Sequence, residues 1–325
     1  MKRVLVTGAA GFLGHHLALA LANKGYNLTL CDDFSRGKKD TALHYLDLDL
    51  TQPQSFQQLN GPYDAVYHLA AVNGTRYFYE KPDQVLKINL LSTIHLLDWF
   101  VASGSKKFLF ASTPEAYAGT IDLYKTPLPT PETVPLMISD IQNPRWSYAG
   151  SKIAGELLTL NYARQHNFAA HIVRYHNIYG PRMGEAHVIP EFILRALKKE
   201  NPFRIYGDKH TRSFCYISDA IEATLCIMET DTPAGGAWHI GNASEEIPML
   251  ELAKRICRLA QYEPEWDIHP APEGSVQRRV PDTRKIMEVL KMPPQINLTT
   301  GLAKTYEWYL HEDFIHSGTR KNRNE

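Results

Sequence analysis

The sequence predicts an α/β protein built on a doubly wound parallel sheet with a smaller C-terminal α/β lobe. Two observations carry this expectation. Through the first 180 residues, short β-rich runs alternate with helical stretches, the pattern of repeated βαβ units. A glycine-punctuated turn also stands between the first such run and the first helical stretch.

Taken in order, Arg3 to Thr7, Asn27 to Asp32, Ala65 to Leu69, Lys107 to Ala111 and Ala170 to Tyr175 are the expected parallel strands. Between the first two, Leu17, Leu19, Leu21 and their alanine neighbours fill about three helical turns. That helix is expected to close near Lys24-Gly25, with a cation and a glycine at its C-terminus. Beyond residue 180 the chain breaks into Pro- and Gly-separated segments with helices expected at Ile189 to Lys199, Ser218 to Thr230 and Met249 to Gln261. The organisation expected is therefore a dinucleotide-binding part over 1–180, a partly interleaved substrate lobe over 181–315, and a polar, disordered tail over 316–325.

Composition narrows the function classes. The 325 residues are 44% hydrophobic and 22% charged, enough apolar content for a substantial core. Thirty-five basic residues balance thirty-five acidic ones, so no overall field recruits nucleic acid or an acidic membrane. Gly8, Gly11 and Gly14 interrupt the apolar N-terminus, which reads as neither a signal peptide nor a membrane span. The four cysteines are scattered without zinc-site spacing, so a reducing cytoplasm and no metal are expected.

Three constellations carry chemistry. The first is Val6-Thr7-Gly8-Ala9-Ala10-Gly11-Phe12-Leu13-Gly14, placed between strand and helix. Its glycines permit a tight turn and close approach of backbone to a pyrophosphate, while the helix N-terminus supplies N–H donors. The second expected strand ends in Asp32-Asp33, where a carboxylate can bind ribose hydroxyls and repel a 2′-phosphate. This is a Rossmann arrangement, and it favours NAD over NADP despite Arg36 and Lys38 nearby. The second constellation, Tyr148-Ala-Gly-Ser-Lys152, puts phenol and ammonium on one helix face, where the ammonium would lower the phenol pKa for general-base work. The third, Thr113-Pro114-Glu115, begins where a strand ends, the edge at which such sheets carry their sites. Thr113 is placed to hydrogen-bond a sugar hydroxyl, and Glu115 offers a second acid or base.

With these residues assembled, the chain resembles the extended short-chain dehydrogenase/reductase superfamily, in its nucleotide-sugar epimerase/dehydratase/decarboxylase branch. The likeness runs from residue 2 to about 310 and also includes His68-Leu69-Ala70-Ala71, Asn89, Arg174 to Arg182, and Tyr206 to Asp219. It implies a homodimer, built on helices near Asn89 to Ala102 and Tyr148 to Arg164, and a nucleoside-diphosphate sugar as substrate. Gly8, Gly11, Phe12, Leu13, Gly14, Asp32, Asp33, Asp49, Leu50, Leu69, Ala70, Ala71 and Asn89 are then expected to hold NAD, with Tyr148 and Lys152. Asn177 and Arg212 match positions that hold the nucleotide diphosphate, Arg279 lies in a segment that contacts nucleotide, and Arg76, Tyr77 and Tyr79 are expected to line the sugar pocket. His15 and His16 are expected to pack at the first helix, and His176, His187 and His210 are possible pocket donors.

The implied chemistry begins with Tyr148 taking the C4 hydroxyl proton as the sugar is oxidised to a 4-ketone. A dehydratase then needs a base at C5, for which Glu115 is the candidate; a substrate with a C6 carboxylate instead becomes a β-keto acid and loses carbon dioxide without one. A 4-epimerase needs only rotation of the keto sugar. Thr-x-Glu resembles dehydratases and decarboxylases more than epimerases, but Pro114 stands where thymidine-diphosphate glucose dehydratases have Asp and decarboxylases Ser. A lyase with internal cofactor recycling is the leading expectation, with a 4-epimerase, a cofactor-consuming dehydrogenase and a non-catalytic NAD-binding regulator as alternatives.

Overall fold

The computed structural model describes residues 1–229, 236–271, 276–291 and 293–321. Its centre is a sheet of seven parallel strands: β1 (Arg3–Thr7), β2 (Asn27–Asp32), β3 (Tyr45–Asp47), β4 (Ala65–His68), β5 (Lys107–Ser112), β6 (Ala169–Tyr175) and β7 (Ala237–Ile240). Their spatial order is β7-β6-β5-β4-β1-β2-β3. All six pairings are parallel. The chain winds outward from β1 through β2 to β3, then returns to lay β4 on the other side of β1. The crevice at the C-terminal ends of β1 and β4 is thus the switch point at which such sheets bind ligands.

Side-chain alternation explains why the sheet is covered on both faces. Val4, Val6, Leu30, Tyr67, Leu109 and Val173 share one apolar cluster. Their neighbours Leu5, Cys31, Val66, Phe108, Phe110 and Ile172 belong to another on the opposite face. The second cluster is closed by helix α3 (Pro82–Ser103) through Leu96, Leu97 and Phe100, after a short α2 (Thr75–Glu80). The first is covered by α1 (Phe12–Asn23) through Leu17 and Leu21. It runs on without a break into the C-terminal lobe at Phe192, Phe203, Leu252 and Ile256. That lobe carries α6 (Val188–Leu197), α7 (Ile217–Glu229), α8 (Met249–Leu259), α9 (Arg284–Leu290) and α10 (Leu298–Lys321), following α4 (Ala118–Leu123) and α5 (Trp146–His166) of the first part.

Five strands match the sequence expectation within one residue at each end, and α1 closes as expected, with Gly25 at φ 74°. Two strands of this sheet were not anticipated. β3 and β7 have three and four residues, too short for a period-2 signal to register. Because β7 comes from residues 237–240, the parts expected at 1–180 and 181–315 share one sheet and one core. α10 continues to Lys321, so the polar segment from His316, expected to be disordered, is helical over its first residues, since propagating a helix is far easier than starting one. Residues 322–325 lie outside the described residues. α3 is long and apolar enough to cross a membrane, yet one face of it, from Val85 to Phe100, is buried in this core.

The core includes histidines whose burial outweighs whatever carboxylate stands near them, Asp40 beside His15 and Asp282 near His239 among these. Burial lowers the pKa of His15 to about 4, of His68 to about 3, of His171 to about 4 and of His239 to about 3, and holds His176 well below the usual value. Between about pH 6.5 and 4 the unfolded chain therefore binds protons that the folded chain does not. Stability rises with pH across that window, and the thermal unfolding midpoint is expected to fall steadily as pH drops through it. A midpoint unchanged from pH 6.5 to 4.5 by calorimetry would contradict this assignment.

Candidate active site

The site opens at the switch point. After β1, Gly8 turns the chain at φ 69°, and a Cβ there would lie 2.6 Å from the Ala70 backbone nitrogen. The Leu69 N–H donates to the Thr7 carbonyl at 3.1 Å, so the turns after β1 and β4 are held in contact. A Cβ on Gly14 would overlap the Gly8 carbonyl, which is why α1 starts so close to the turn. The first turn of α1 has no side-chain cap, which leaves its N–H groups to the crevice.

Asp32 fastens this loop to the end of β2. Its carboxylate accepts from Ala10 N–H at 2.9 Å and from Phe34 N–H at 2.9 Å. Burial pushes its pKa up against the pull of those two donors. Asp33 caps Ser35, accepting from its N–H at 3.0 Å and its hydroxyl at 2.7 Å. A cavity of about 750 Å³ follows, lined by the glycine loop, Asp32, Asp33, Asp49, Leu50 and Leu69 to Ala71 at one end. Thr113, Pro114, Tyr148, Lys152, Asn177 and Arg279 line the other. A glycine cradle, uncapped helical N–H groups and a carboxylate at the β2 end fit a dinucleotide.

α5 delivers Tyr148 and Lys152, one turn apart. The Lys152 ammonium donates to the Ala111 carbonyl at 2.8 Å and lies 4.8 Å from the Phe110 ring centre and 5.9 Å from that of Tyr148. Burial lowers its pKa to about 7, against the opposing pull of Glu156. The Tyr148 pKa is raised, by burial first and the Glu115 charge second; a hydrogen bond with Thr113 and the Arg36 charge counter only part of it. This corrects the expectation that Lys152 lowers the phenol's pKa. The ammonium is turned to a backbone carbonyl, and the cost of charging a buried phenol dominates.

Behind the pair lies a buried ion pair. Arg174 donates to Glu156 at 2.8 and 2.9 Å, and the Ser112 hydroxyl donates to the same carboxylate at 2.6 Å. Asn89 is not on the cavity wall. Its amide oxygen accepts from Val72 N–H at 2.7 Å, and its amide nitrogen donates to the Val72 carbonyl and to the Ser151 hydroxyl, both at 3.1 Å. It thus ties the turn after β4 to Ser151 of α5, whose hydroxyl in turn donates to the Tyr148 carbonyl.

Glu115 is also placed differently from expectation. It accepts from Arg279 at 2.6 Å and from Arg145 at 3.3 Å, and it is absent from the cavity wall. Burial raises its pKa, but the charges of Arg279 and then Arg145 outweigh that and hold it below the usual range. Arg279 lies beside Arg212 because their short strands pair in parallel, residue against residue. Arg212 is spent on backbone carbonyls, donating to Thr211 at 2.8 Å and Val276 at 2.7 Å, and does not reach the cavity. Burial and the Arg279 charge lower its pKa to about 10.

Arg76 is 80% exposed and paired with Glu80 at 2.7 Å, away from the cavity. Tyr77 and Tyr79 are exposed as well, whereas Phe78 between them lines the cavity. Among the histidines, His187 reaches the wall and His15, His16, His176 and His210 do not. Arg36, Arg182 and the α10 residues Trp308, Tyr309 and Glu312 also line it, and nothing in the spacing of these residues pointed there.

Residues 4–241 match the family described as NAD dependent epimerase/dehydratase. The chain is 34% identical over 95% of its length to a UDP-N-acetyl-alpha-D-glucosaminuronate decarboxylase from Bacillus cytotoxicus, covering 98% of that protein. It is 32% identical over 92% of its length to UDP-glucuronic acid decarboxylase 4 of Arabidopsis thaliana, covering 67% of it. Among solved structures, a UDP-glucose 4-epimerase from Thermotoga maritima superposes with a TM-score of 0.85 at 28% identity, over 95% of this chain and 99% of that one. MoeE5 in complex with UDP-glucuronic acid and NAD gives 0.81 at 27%, over 95% and 99%.

Asp32 accepts one backbone N–H of the dinucleotide loop, that of Ala10, and one of the turn after β2, that of Phe34, whereas Asp33 holds only that turn. Asp32→Ala is expected to weaken NAD binding by at least about tenfold, roughly 1.4 kcal/mol, and Asp33→Ala by clearly less. Calorimetric titration of the two variants with NAD checks the order, and equal losses would argue against it.

Proposed function

The chain belongs to the NAD dependent epimerase/dehydratase family, and from that membership we propose that it decarboxylates a uridine-diphosphate hexuronate to the corresponding pentose. The observation that carries this reading is the Glu115–Arg279–Arg145 cluster. An ionised carboxylate bonded to two arginines off the cavity wall is poorly placed to take a C5 proton, and Pro114 has no group to protonate a leaving hydroxyl. Dehydration needs both; decarboxylation needs neither. Arg279 meanwhile offers a guanidinium on the wall, suited to a C6 carboxylate that a neutral hexose lacks.

Bound NAD supplies the acceptor for the C4 hydride and its later return, and brings a positive ring into the cleft. The glycine loop and Asp32 would hold it, with Leu69 to Ala71 against it. Tyr148, protonated at rest, would first give its own proton to solvent, an ionisation that a bound cationic cofactor would favour, and the phenolate, with Thr113 hydrogen-bonded to its oxygen, then takes the C4 hydroxyl proton. Lys152, with its pKa near neutrality, can hold or release a proton behind it. The resulting 4-keto acid breaks its C5–C6 bond, releasing carbon dioxide and leaving an enolate, and water in the cleft supplies the proton that takes the vacated position at C5, leaving hydroxide to solvent. Tyr148 then returns its proton to the C4 oxygen as the ketone is reduced. Asn177 is the proposed contact to the nucleotide, and Arg279, expected there from the sequence, is assigned to the C6 carboxylate instead. Asn89 and Arg212 serve by fixing the backbone around them, and Arg76 is left without a role.

We also propose a homodimer, cytoplasmic in keeping with four cysteines that form no disulfide among the described residues, joined through the outer faces of α3 and α5, where Leu86 and Leu157 are exposed. Leu157→Glu is expected to convert a dimer to monomer in light scattering. A monomeric parent would dispose of this part of the proposal.

The main test is incubation with UDP-glucuronate, UDP-N-acetylglucosaminuronate and neutral UDP-hexoses, with products weighed by mass spectrometry. Loss of 44 mass units from a hexuronate, without steady release of NADH at 340 nm, is expected. Loss of 18, or an epimer found by NMR at unchanged mass, would replace the reading by dehydratase or 4-epimerase; NAD binding with no product would favour a regulator. Tyr148→Phe is expected to lower kcat by about a hundredfold or more, the scale of one general acid–base group.

A further inference from the structure

Between the two ends of the cleft runs a chain of contacts that the chemistry above does not use. Arg36, three residues after Asp33, donates from one guanidinium nitrogen to the Asn73 carbonyl at 2.6 Å and to its side-chain oxygen at 2.5 Å. The same guanidinium lies 5.4 Å from the centre of the Tyr77 ring. Asn73 and Tyr77 flank the start of α2, where Gly74 bends the chain at φ 112°. The next residue, Phe78, stacks on Tyr148 with ring centres 5.0 Å apart and planes within 11° of parallel. Phe78, Arg36 and Tyr148 all face the same cavity.

We infer that Phe78 is a positioning residue for Tyr148 and that Arg36 is the latch that holds it there, so that the dinucleotide end of the cleft and the sugar end are coupled through α2. This rests on Tyr148 being the catalytic acid–base group. A flat aromatic neighbour fixes the ring plane of the phenol and keeps water from one side of it. It also opposes ionisation, because the face of an aromatic ring carries negative charge density. The groups facing the phenol from the other elements are Thr113 and Glu115 after β5, Lys152 one turn along α5, and Arg36 itself. Arg36 is occupied by Asn73 and Tyr77, which also turns it from use as a partner for a 2′-phosphate.

The test compares Phe78→Ala, Phe78→Tyr, Arg36→Lys and the Phe78→Ala/Arg36→Lys double variant on the hexuronate that the wild type turns over. Phe78 is only half-buried on a short surface helix, and NAD titration with a melting curve verifies that each variant is folded. Phe78→Ala should lower kcat about tenfold with NAD affinity unchanged, on the scale of one aromatic pair. It should also move the acid limb of the kcat profile to lower pH, and Phe78→Tyr should restore both. Arg36→Lys keeps the charge but cannot bridge Asn73 and cover Tyr77 together, so kcat should fall, with no further loss in the double variant. Phe78→Ala with wild-type kcat and pH profile, or losses that add in the double variant, would overturn the inference. Tyr148→Phe run alongside separates the two assignments. If it still turns over, the role of Tyr148 fails; if it is dead while Phe78→Ala is normal, only the positioning role fails.

Discussion

The arrangement depends on one close approach, the backbone of the Gly8 turn against the backbone of Ala70. It exists because β1 and β4 are hydrogen-bonded neighbours whose chains leave the sheet at the same level. No side chain can stand between them, so the residue at the turn must be glycine, and so must Gly14 where α1 begins. Asp32 then fixes the turn to β2, and Asn89 fixes the other side of the crevice to α5. Each of these side chains satisfies backbone groups of loops that would otherwise be free to drift. The position of Tyr148 is therefore determined by a sequence of backbone contacts that starts sixty residues or more away in the chain.

The same packing sets the electrostatics. Lys152 is buried with a single carbonyl as its hydrogen-bond partner, and its proton is correspondingly loose. Glu156, one turn further on, is neutralised by Arg174 and Ser112, so it steadies Lys152 only at a distance. A direct ion pair with Lys152 would have held the ammonium charged at every accessible pH. Placing the carboxylate one turn further along and giving it to Arg174 leaves a lysine that titrates near neutrality beside a phenol that resists ionisation.

The parts of this arrangement legible in the sequence are those encoded within a few residues. The glycine turn, the strand end at Asp32 and the four-residue spacing of Tyr148 and Lys152 are local and are where the sequence put them, and β5 ends at Ser112, one residue beyond the expected Ala111. What was not legible depends on pairing across long separations. Glu115 and Arg279 are 164 positions apart, and only the parallel pairing of Arg279 with Arg212, together with the turn after β5, brings them together. The segment 76–79 shows a subtler limit. Its composition announced a pocket wall, but α2 turns only one side inward, and Phe78 occupies it while Arg76, Tyr77 and Tyr79 face water. Without the helix phase, neighbours in sequence cannot be told apart.

That distinction bears on how one scaffold serves several reactions. The dinucleotide cradle and the Tyr/Lys helix are common ground for any chemistry that passes through a 4-ketone, so the fold alone does not choose among outcomes. On the proposed reading the choice falls to the residues around the sugar end of the cleft, here Pro114 and Arg279 on its wall and Glu115 behind them. A carboxylate can serve as a base only while its lone pairs are free and its pKa lies within reach of the proton it must remove. Two guanidinium groups, Arg279 and Arg145, deny Glu115 both conditions, and Glu115 in turn offsets the charge of Arg279, which strand pairing had forced against Arg212. In this chain the carboxylate that a dehydratase would use on substrate is engaged in offsetting that repulsion, and what it leaves on the cavity wall is positive charge.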